Sequence, residues 1–545
     1  MIPHHAQDLT IDADLMWSGL MSKPDPFLGN VTTNVVVAKT LGGGSVINGM
    51  VYDRASAADL DAWEALGNKG WGWAGMKPYF IKGTTYQPAS AAVAKEYNIT
   101  YDPSAYGSGP LTVSVHDSHV PDNKDYWAAW RGMGVRLPLD GNDGEVGPSW
   151  FPNTMDKRTG RRAHARYAYL NPIANRTNLK VLTKTTAQKV VFTNTNAPNM
   201  ANGVEILDAA SGKTSTVYAK REVILAAGSI LTPKLLQLSG VGPKNILKAA
   251  GVKVRVELDA VGSNFQDHPY GVAAFNAPSN SFPSSNELNT NATYNATAWD
   301  QYVQNKTGPY TVARGNALAF ISLPDMTSDV QSIVNIMNSQ NDSDHLPSIY
   351  KNNKPLLKGF ARQRKILAGL YQRKDAALAE FGVPSDGSFS LLGVEKPLSR
   401  GTININAKNP QGPPDIFFNA FSNPTDKAVL GASLRYYRTY MARPELNKFN
   451  VSEIAPGTQY KTDNEIFSAL VSQSLLAPTL AHPSGSCPMM AREEGGCVSD
   501  KLLVYGTQHL SVIDASIIPL VPSCHLQATM YGVAEKAADI IKARN

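Results

Sequence analysis

Two histidines near the C-terminal end, His482 and His525, carry the side-chain chemistry most readily turned to catalysis. An imidazole titrates near neutrality, so it can accept or donate a proton at working pH. The two stand 43 positions apart, each at the start of a segment rich in small residues: AHPSGSCPMM (Ala481 to Met490) and SCHLQATMYGVAEKAADIIK (Ser523 to Lys542). Small neighbours leave room for a large, flat group to approach the backbone. Between them, Leu510, Val512 and Ile513 form a short apolar run that reads as a strand, broken by an Asp514-Ala515-Ser516 turn. Either histidine alone is equally compatible with an ordinary loop or core position, and the pair gains its weight from what precedes it.

Upstream, three stretches could hold a ligand beside such a pair. In AKTLGGGSVINGMVYDRA (Ala38 to Ala55), Gly42, Gly43 and Gly44 allow close backbone approach, Ser45 is a candidate cap, and Asn48 offers an amide at the start of an expected helical turn. Consecutive N–H groups at such a turn can cradle a phosphate. In REVILAAGS (Arg221 to Ser229), Val223 to Ala227 are continuously apolar, as in a parallel strand buried on both faces. Gly228 should end that strand, Thr232 cap a helix with Pro233 at its first position, and Gly240 close it. Strand, small-residue turn and capped helix make a nucleotide-site geometry, and equally an ordinary α/β unit. VGSNFQDHP (Val261 to Pro269) follows an expected strand at Val252 to Leu258 and clusters Asn264, Gln266, Asp267 and His268.

These elements need a large frame, and 545 residues suggest two domains. A polar surface helix is expected between Ser56 and Trp73, irregular covering structure from Thr84 to Gly160, and two short strands within Asn178 to Phe192. From about Val272 to Tyr460 the pattern changes to strands (Ala317 to Leu323, Gly401 to Asn406) alternating with loops and helices such as Lys427 to Arg443, an α+β domain that would cover the ligand. The net charge of +6 is spread without a Lys/Arg block, which argues against nucleic acid, and no run of eighteen apolar residues could span a membrane. Of the three cysteines, Cys487 and Cys497 could bridge, although a buried free thiol is the expectation for Cys487. Eight Asn-x-Ser/Thr sequons (Asn30, Asn98, Asn175, Asn291, Asn295, Asn305, Asn341, Asn450) point to a secreted or lumenal protein, yet the first twenty residues show no signal peptide.

Taken together, the segments resemble the glucose–methanol–choline (GMC) oxidoreductase family over nearly the whole chain. Ala38 to Asp61 is similar to its first signature, GSILTPKLLQLSGVGP (Gly228 to Pro243) to its second, and the His482–His525 block to its catalytic segment. The C-terminal end looks most like fungal secondary-metabolite enzymes related to patulin synthase and versicolorin B synthase. The resemblance implies an α/β, Rossmann-like FAD-binding domain over residues 1–271 and 461–545, interleaved with an α+β substrate domain over 272–460. The family opens with a strand, a GxGxxG turn and a helix; nothing in this sequence matches them, so the domain is expected to be N-terminally truncated.

For chemistry, the resemblance implies FAD and a small alcohol substrate, with the electron acceptor open between oxygen and another oxidant. A histidine takes the hydroxyl proton while the carbon's hydride passes to the flavin. His482 is assigned as base and His525 as the partner that positions the substrate oxygen, with the roles exchangeable at this stage. Thr40, Gly43, Gly44, Asn48, Gly49, Met50 and Val51 match isoalloxazine and pyrophosphate contacts, Ala187, Ala227 and Gly228 the adenine side, and Asp514 and Ala515 the turn against the flavin. An aromatic or polyketide-derived alcohol is expected from the subgroup. Two other readings remain: a non-redox cyclase or dehydratase on the same scaffold, and a remnant that holds no flavin.

Overall fold

A computed structural model describes residues 1–6, 13–193, 199–284, 286–382 and 389–544; part of the N-terminal lead-in, residues 7–12, lies outside them. The glycine loop runs into a single turn, α1 (Gly44–Ile47), and then into α2 (Ala57–Ala65) and α3 (Trp73–Gly83). Gly43 is the N-cap of α1, and Ser45 instead donates to Gly42 O at 2.6 Å and accepts from Ala165 N–H at 3.0 Å. Asn48 ends the turn rather than starting it. The helix α2 is not a polar surface helix: Ala58, Leu60, Ala62 and Trp63 are buried, and Trp63 Nε1 donates to Leu520 O at 2.8 Å. Its polar N-terminus is sealed by a capping box between Ser56 and Asp59.

The stretch expected to be irregular holds a helix, Asn123–Gly132, with Tyr126, Trp127 and Trp130 buried, and the strand β1 (Gly147–Trp150). Next, β2 (Thr185–Phe192), β3 (Ala201–Asp208) and β4 (Thr214–Tyr218) form an antiparallel sheet. Residues 178–184 add no second strand, because their apolar side chains, Val181 and Leu182, stay exposed instead of meeting a partner. The run expected to be a doubly buried strand shortens to β5 (Val223–Leu225), with Ile224 at 43% exposure. Its partner among the described residues is the parallel strand β12 (Leu510–Val512), which leaves one face open.

From β5 the chain turns into α4 (Gly228–Leu238), which starts four residues before Thr232 and carries Pro233 inside it. Proline removes the N–H that would bond Ser229 O; the Ser486 hydroxyl donates to that carbonyl at 2.5 Å and replaces it. Thr232 is free of capping duty and is used elsewhere, as described below.

The second sheet has seven strands: β6 (Tyr270–Asn276), β7 (Ala317–Ser322), β8 (Ala377–Gly382), β9 (Phe389–Val394), β10 (Ser452–Ala455), β11 (Leu476–Ala477) and β1. Their order is β10-β6-β9-β8-β7-β1, antiparallel throughout, with β11 also paired to β6. The 271/272 division thus falls inside β6, and β1 joins this sheet from far upstream. Helix α5 (Lys354–Leu370) packs beside α2, while α6 (Pro424–Met441) covers the sheet, burying Val429, Leu430, Tyr437 and Tyr440. The strands expected at Val252–Leu258 and Gly401–Asn406 reduce to Val256–Glu257 and Thr402–Asn404. The chain closes with α7 (Gln527–Arg544), packed on α3. Cys487 is not a free thiol but is joined to Cys497, while Cys524 is the buried free cysteine. Among the described residues no helix is long and apolar enough to cross a membrane.

Candidate active site

The two histidines separated in sequence come together. His482, on the loop after β11, and His525, two residues before α7, lie ring to ring at 4.9 Å between centroids and at 84°. His482 is buried, whereas His525 keeps a quarter of its side chain exposed.

Each is held by a different buried acid. Asp53 Oδ2 accepts from the His525 backbone N–H at 2.9 Å and lies 3.1 Å from its Nδ1. On the other edge, Nε2 is 3.5 Å from Glu380 Oε1, a carboxyl on β8. Burial opposes charge on His525, but the Glu380 and Asp53 carboxyls override it and raise the pKa to about 10. His525 is therefore an imidazolium at neutral pH.

Around His482 the situation is reversed. Its backbone N–H donates to Asp267 Oδ1 at 3.1 Å, but among the described residues its ring meets no acid; Nδ1 faces His268 Nδ1 at 2.9 Å. Burial, then the charge on His525, holds His482 well below the usual histidine range, and burial with His525 and Lys396 brings His268 to about 3. Asp267 also accepts from His268 N–H at 2.8 Å and from the Thr479 hydroxyl at 2.7 Å. Burial nonetheless lifts it to about 7. The site thus pairs an imidazole held neutral by burial with one held charged by two carboxyls.

The glycine loop is lashed to the same place. Gln527, at the start of α7, accepts from Asn48 Nδ2 at 2.8 Å and donates to Val51 O at 2.8 Å. The other face of Asn48 is taken by Arg162, whose Nη1 donates to Oδ1 at 2.6 Å and Nη2 to the backbone O at 2.7 Å. The Asn48 side chain is therefore a node that shapes the loop. Asp514 clasps the second element: Oδ2 accepts from Gly228 N–H at 3.0 Å and Thr232 Oγ1 at 2.6 Å, and Oδ1 accepts from Ser516 N–H at 2.8 Å.

Of the other expected cofactor contacts, Thr40 O accepts from Gly43 N–H at 3.0 Å, and Met50, at φ 71°, is buried with its carbonyl accepting from Thr154 N–H at 2.8 Å. Gly49 packs against the Arg314 side chain. Ala227 N–H is 3.1 Å from Thr232 Oγ1, and Ala515 O accepts from Gly485 N–H at 2.9 Å. Ala187 is apart from these, exposed on β2 and paired with Ile206.

Three of the glycines leave their backbone uncovered. Side chains at Gly43, Gly44 and Gly228 would meet nothing within 4 Å, so three backbone surfaces border open space. Gly43 and Gly228 also have φ of 56° and 79°, values that favour glycine.

Sequence reasoning missed Asp53, Glu380, Glu395 and Gln527 and gave His268 no role. Glu380 and Glu395 left a readable signal: each is an acid set in or beside an apolar run (ALAEF, LLGVEK), where burial of charge is costly and marks a functional position.

Two family models described as GMC oxidoreductase match residues 18–270 and 397–534. The chain is 36% identical over 535 residues to dehydrogenase xptC of Emericella nidulans, covering 97% of this chain and 84% of that one. An FAD-dependent oxidoreductase from Chaetomium thermophilum superposes with a TM-score of 0.94 at 35% identity, over 100% of this chain and 92% of the other. A fungal aryl-alcohol oxidase does so with the same score and coverage at 32% identity.

The open face at Gly43 tests the placement of the cofactor loop. Gly43→Val strains a left-handed position by about 1–3 kcal/mol and fills the open face. It is expected to lower FAD affinity at least about tenfold, read by flavin absorbance retained after gel filtration; normal flavin content would place the loop away from the cofactor.

Proposed function

We propose a reaction on one premise: the chain belongs to the GMC oxidoreductase family. It is an FAD-dependent enzyme that oxidises the CH–OH group of a small alcohol, and His482 and His525 divide the proton work. When bound, FAD supplies the two-electron acceptor for the hydride that leaves the carbon. The protein's own part is at the oxygen. His482, neutral at working pH, takes the hydroxyl proton, and His525, charged, donates a hydrogen bond to the oxygen as negative charge develops there. The observation that carries this division is the surroundings of two rings 4.9 Å apart, Asp53 and Glu380 at the edges of His525 and His268 at the edge of His482.

The substrate we propose is an aryl or polyketide-derived alcohol of fungal secondary metabolism. The likeness to dehydrogenase xptC and to a fungal aryl-alcohol oxidase supports this. We further propose a secreted or lumenal location. The Cys487–Cys497 disulfide supports an oxidising compartment, and Asn30, Asn98, Asn175, Asn305, Asn341 and Asn450 of the sequons are exposed. Asn295 is excluded as an acceptor, because its amide is half-buried and donates to Leu288 O at 2.6 Å.

Three outcomes are expected. His482→Ala lowers kcat by roughly 10²–10⁴ with bound flavin unchanged, while the wild-type product is lighter than its substrate by two hydrogens. A loss of water instead would mean ring closure or dehydration. The pH profile should fall on the alkaline side as His525 loses its proton near pH 10. A profile that stays flat through pH 10 would overturn the assignment. Finally, protein from a eukaryotic secretory host should lose mass on treatment with peptide N-glycosidase, and no change would count against the proposed location.

A further inference from the structure

We propose that Arg314 is a specificity-determining residue that selects alcohols carrying a carboxylate away from the carbon that is oxidised. The proposal rests on the reading of the site as one for alcohol oxidation and names a class of substrate for it. Arg314 stands just before β7, and its side chain lies across Gly49 of the glycine loop. A methyl group on Gly49 would come within 3.1 Å of the Arg314 Cδ and 3.3 Å of its Cβ, so the missing side chain is what lets the stem lie there. The alkyl stem covers loop backbone while the residue stays exposed, which leaves the charged end in solvent. This part of the loop belongs to the site: Asn48, next to Gly49, bonds at 2.8 Å to Gln527, two residues beyond His525.

The charge of Arg314 is unmatched. Its backbone carbonyl accepts from Asn153 Nδ2 at 3.4 Å, but among the described residues its guanidinium meets neither an acid nor a hydrogen-bond acceptor. The other cations around the site are occupied. Arg162 gives both terminal nitrogens to Asn48, Arg54 donates to Ala105 O at 2.6 Å and Thr84 Oγ1 at 3.1 Å, and Lys396 pairs with Asp59. The charge on His525 is met by Asp53 and Glu380. A free guanidinium suits a carboxylate, because its fork of N–H groups can donate to both oxygens at once. Tyr270 adds a donor on the sheet. It pairs in register with Gly393, which pairs with Glu380, so the phenol and the carboxyl that reaches His525 share one face, roughly 10 Å apart. Burial raises the Tyr270 phenol, with the Arg314 charge opposing, so Tyr270 is a neutral hydroxyl at working pH.

The test compares a carboxylate with its neutral amide of the same shape, on the full chain with FAD present. Binding is read by calorimetry with 4-methylbenzoate and 4-methylbenzamide, neither of which carries an alcohol to oxidise. Turnover is read with 4-(hydroxymethyl)benzoate and 4-(hydroxymethyl)benzamide. Wild-type protein should bind the acid at least about tenfold more tightly than the amide, as one charge-assisted contact predicts. The same preference should appear in kcat/KM, carried by KM, and should shrink as salt is added. Arg314→Gln should bring the acid down to the affinity of the amide, and Arg314→Lys should keep part of the preference. Equal binding of acid and amide by wild-type protein would overturn the proposal, and that result needs no variant to fold. So would a preference that survives in Arg314→Gln. Acid binding that depends on Arg314, with neither alcohol oxidised, is a different failure, that of the reaction proposed above.

Discussion

Asp53 is fully buried, and a carboxylate taken out of water must be met by charge or by donors. It finds both in one residue, since His525 offers its backbone N–H and its ring. That contact spans 472 positions of sequence and sets the entry of α7 against the glycine loop. Once it forms, Gln527 falls where it can reach Asn48 and Val51, so the glycine loop and the segment carrying His525 are tied together. Glu380 then adds to the field on the ring without needing a close contact.

The same device recurs around the site. Asp59 caps α2 and also receives Lys396 and the Ser523 N–H, anchoring the segment that leads into His525. Asp267 gathers the backbone of His268 and His482, and Asp514 ties the end of β12 to the start of α4. Each acid is buried, and each joins segments far apart in the chain. A buried carboxylate that lost its partners would be strongly destabilising, so these clasps resist small rearrangements more than apolar packing does. The Cys487–Cys497 disulfide closes the loop just beyond His482 and restrains the same block covalently.

This pattern explains what could be read in advance and what could not. The histidine pair, the glycines and the Asp514 turn were legible because rare residue types and small-residue spacing mark them locally. Asp53 was not, because in MVYDRA it looks like any loop acid until Ser523 to Gln527 arrives beside it. Thr232 and Pro233 read as a helix start by local rules, yet α4 begins at Gly228, since Ser486 supplies the hydrogen bond that proline removes. The doubly buried strand failed for a related reason: burial depends on neighbours, and Ile224 faces outward beside β12, its one partner strand among the described residues. Likewise the polarity of Ser56 and Asp59 suggested a surface helix, when it satisfies a buried cap and a buried lysine.

The proposed division of labour between the histidines comes down to which atoms their acids touch. Both His482 and His525 give a backbone N–H to a buried aspartate. Only at His525 does the same carboxylate also reach the ring, and that contact favours the imidazolium. At His482 the acid stops at the backbone, the ring turns to another neutral imidazole, and desolvation is left unopposed. The charge on His525 then acts on His482 as well, pushing its proton affinity lower still. Two side chains of one type, nearly in contact, are thus set apart by the Glu380 and Asp53 carboxyls at one ring and by burial at the other. Exchanging their roles would require moving an acid from backbone to ring.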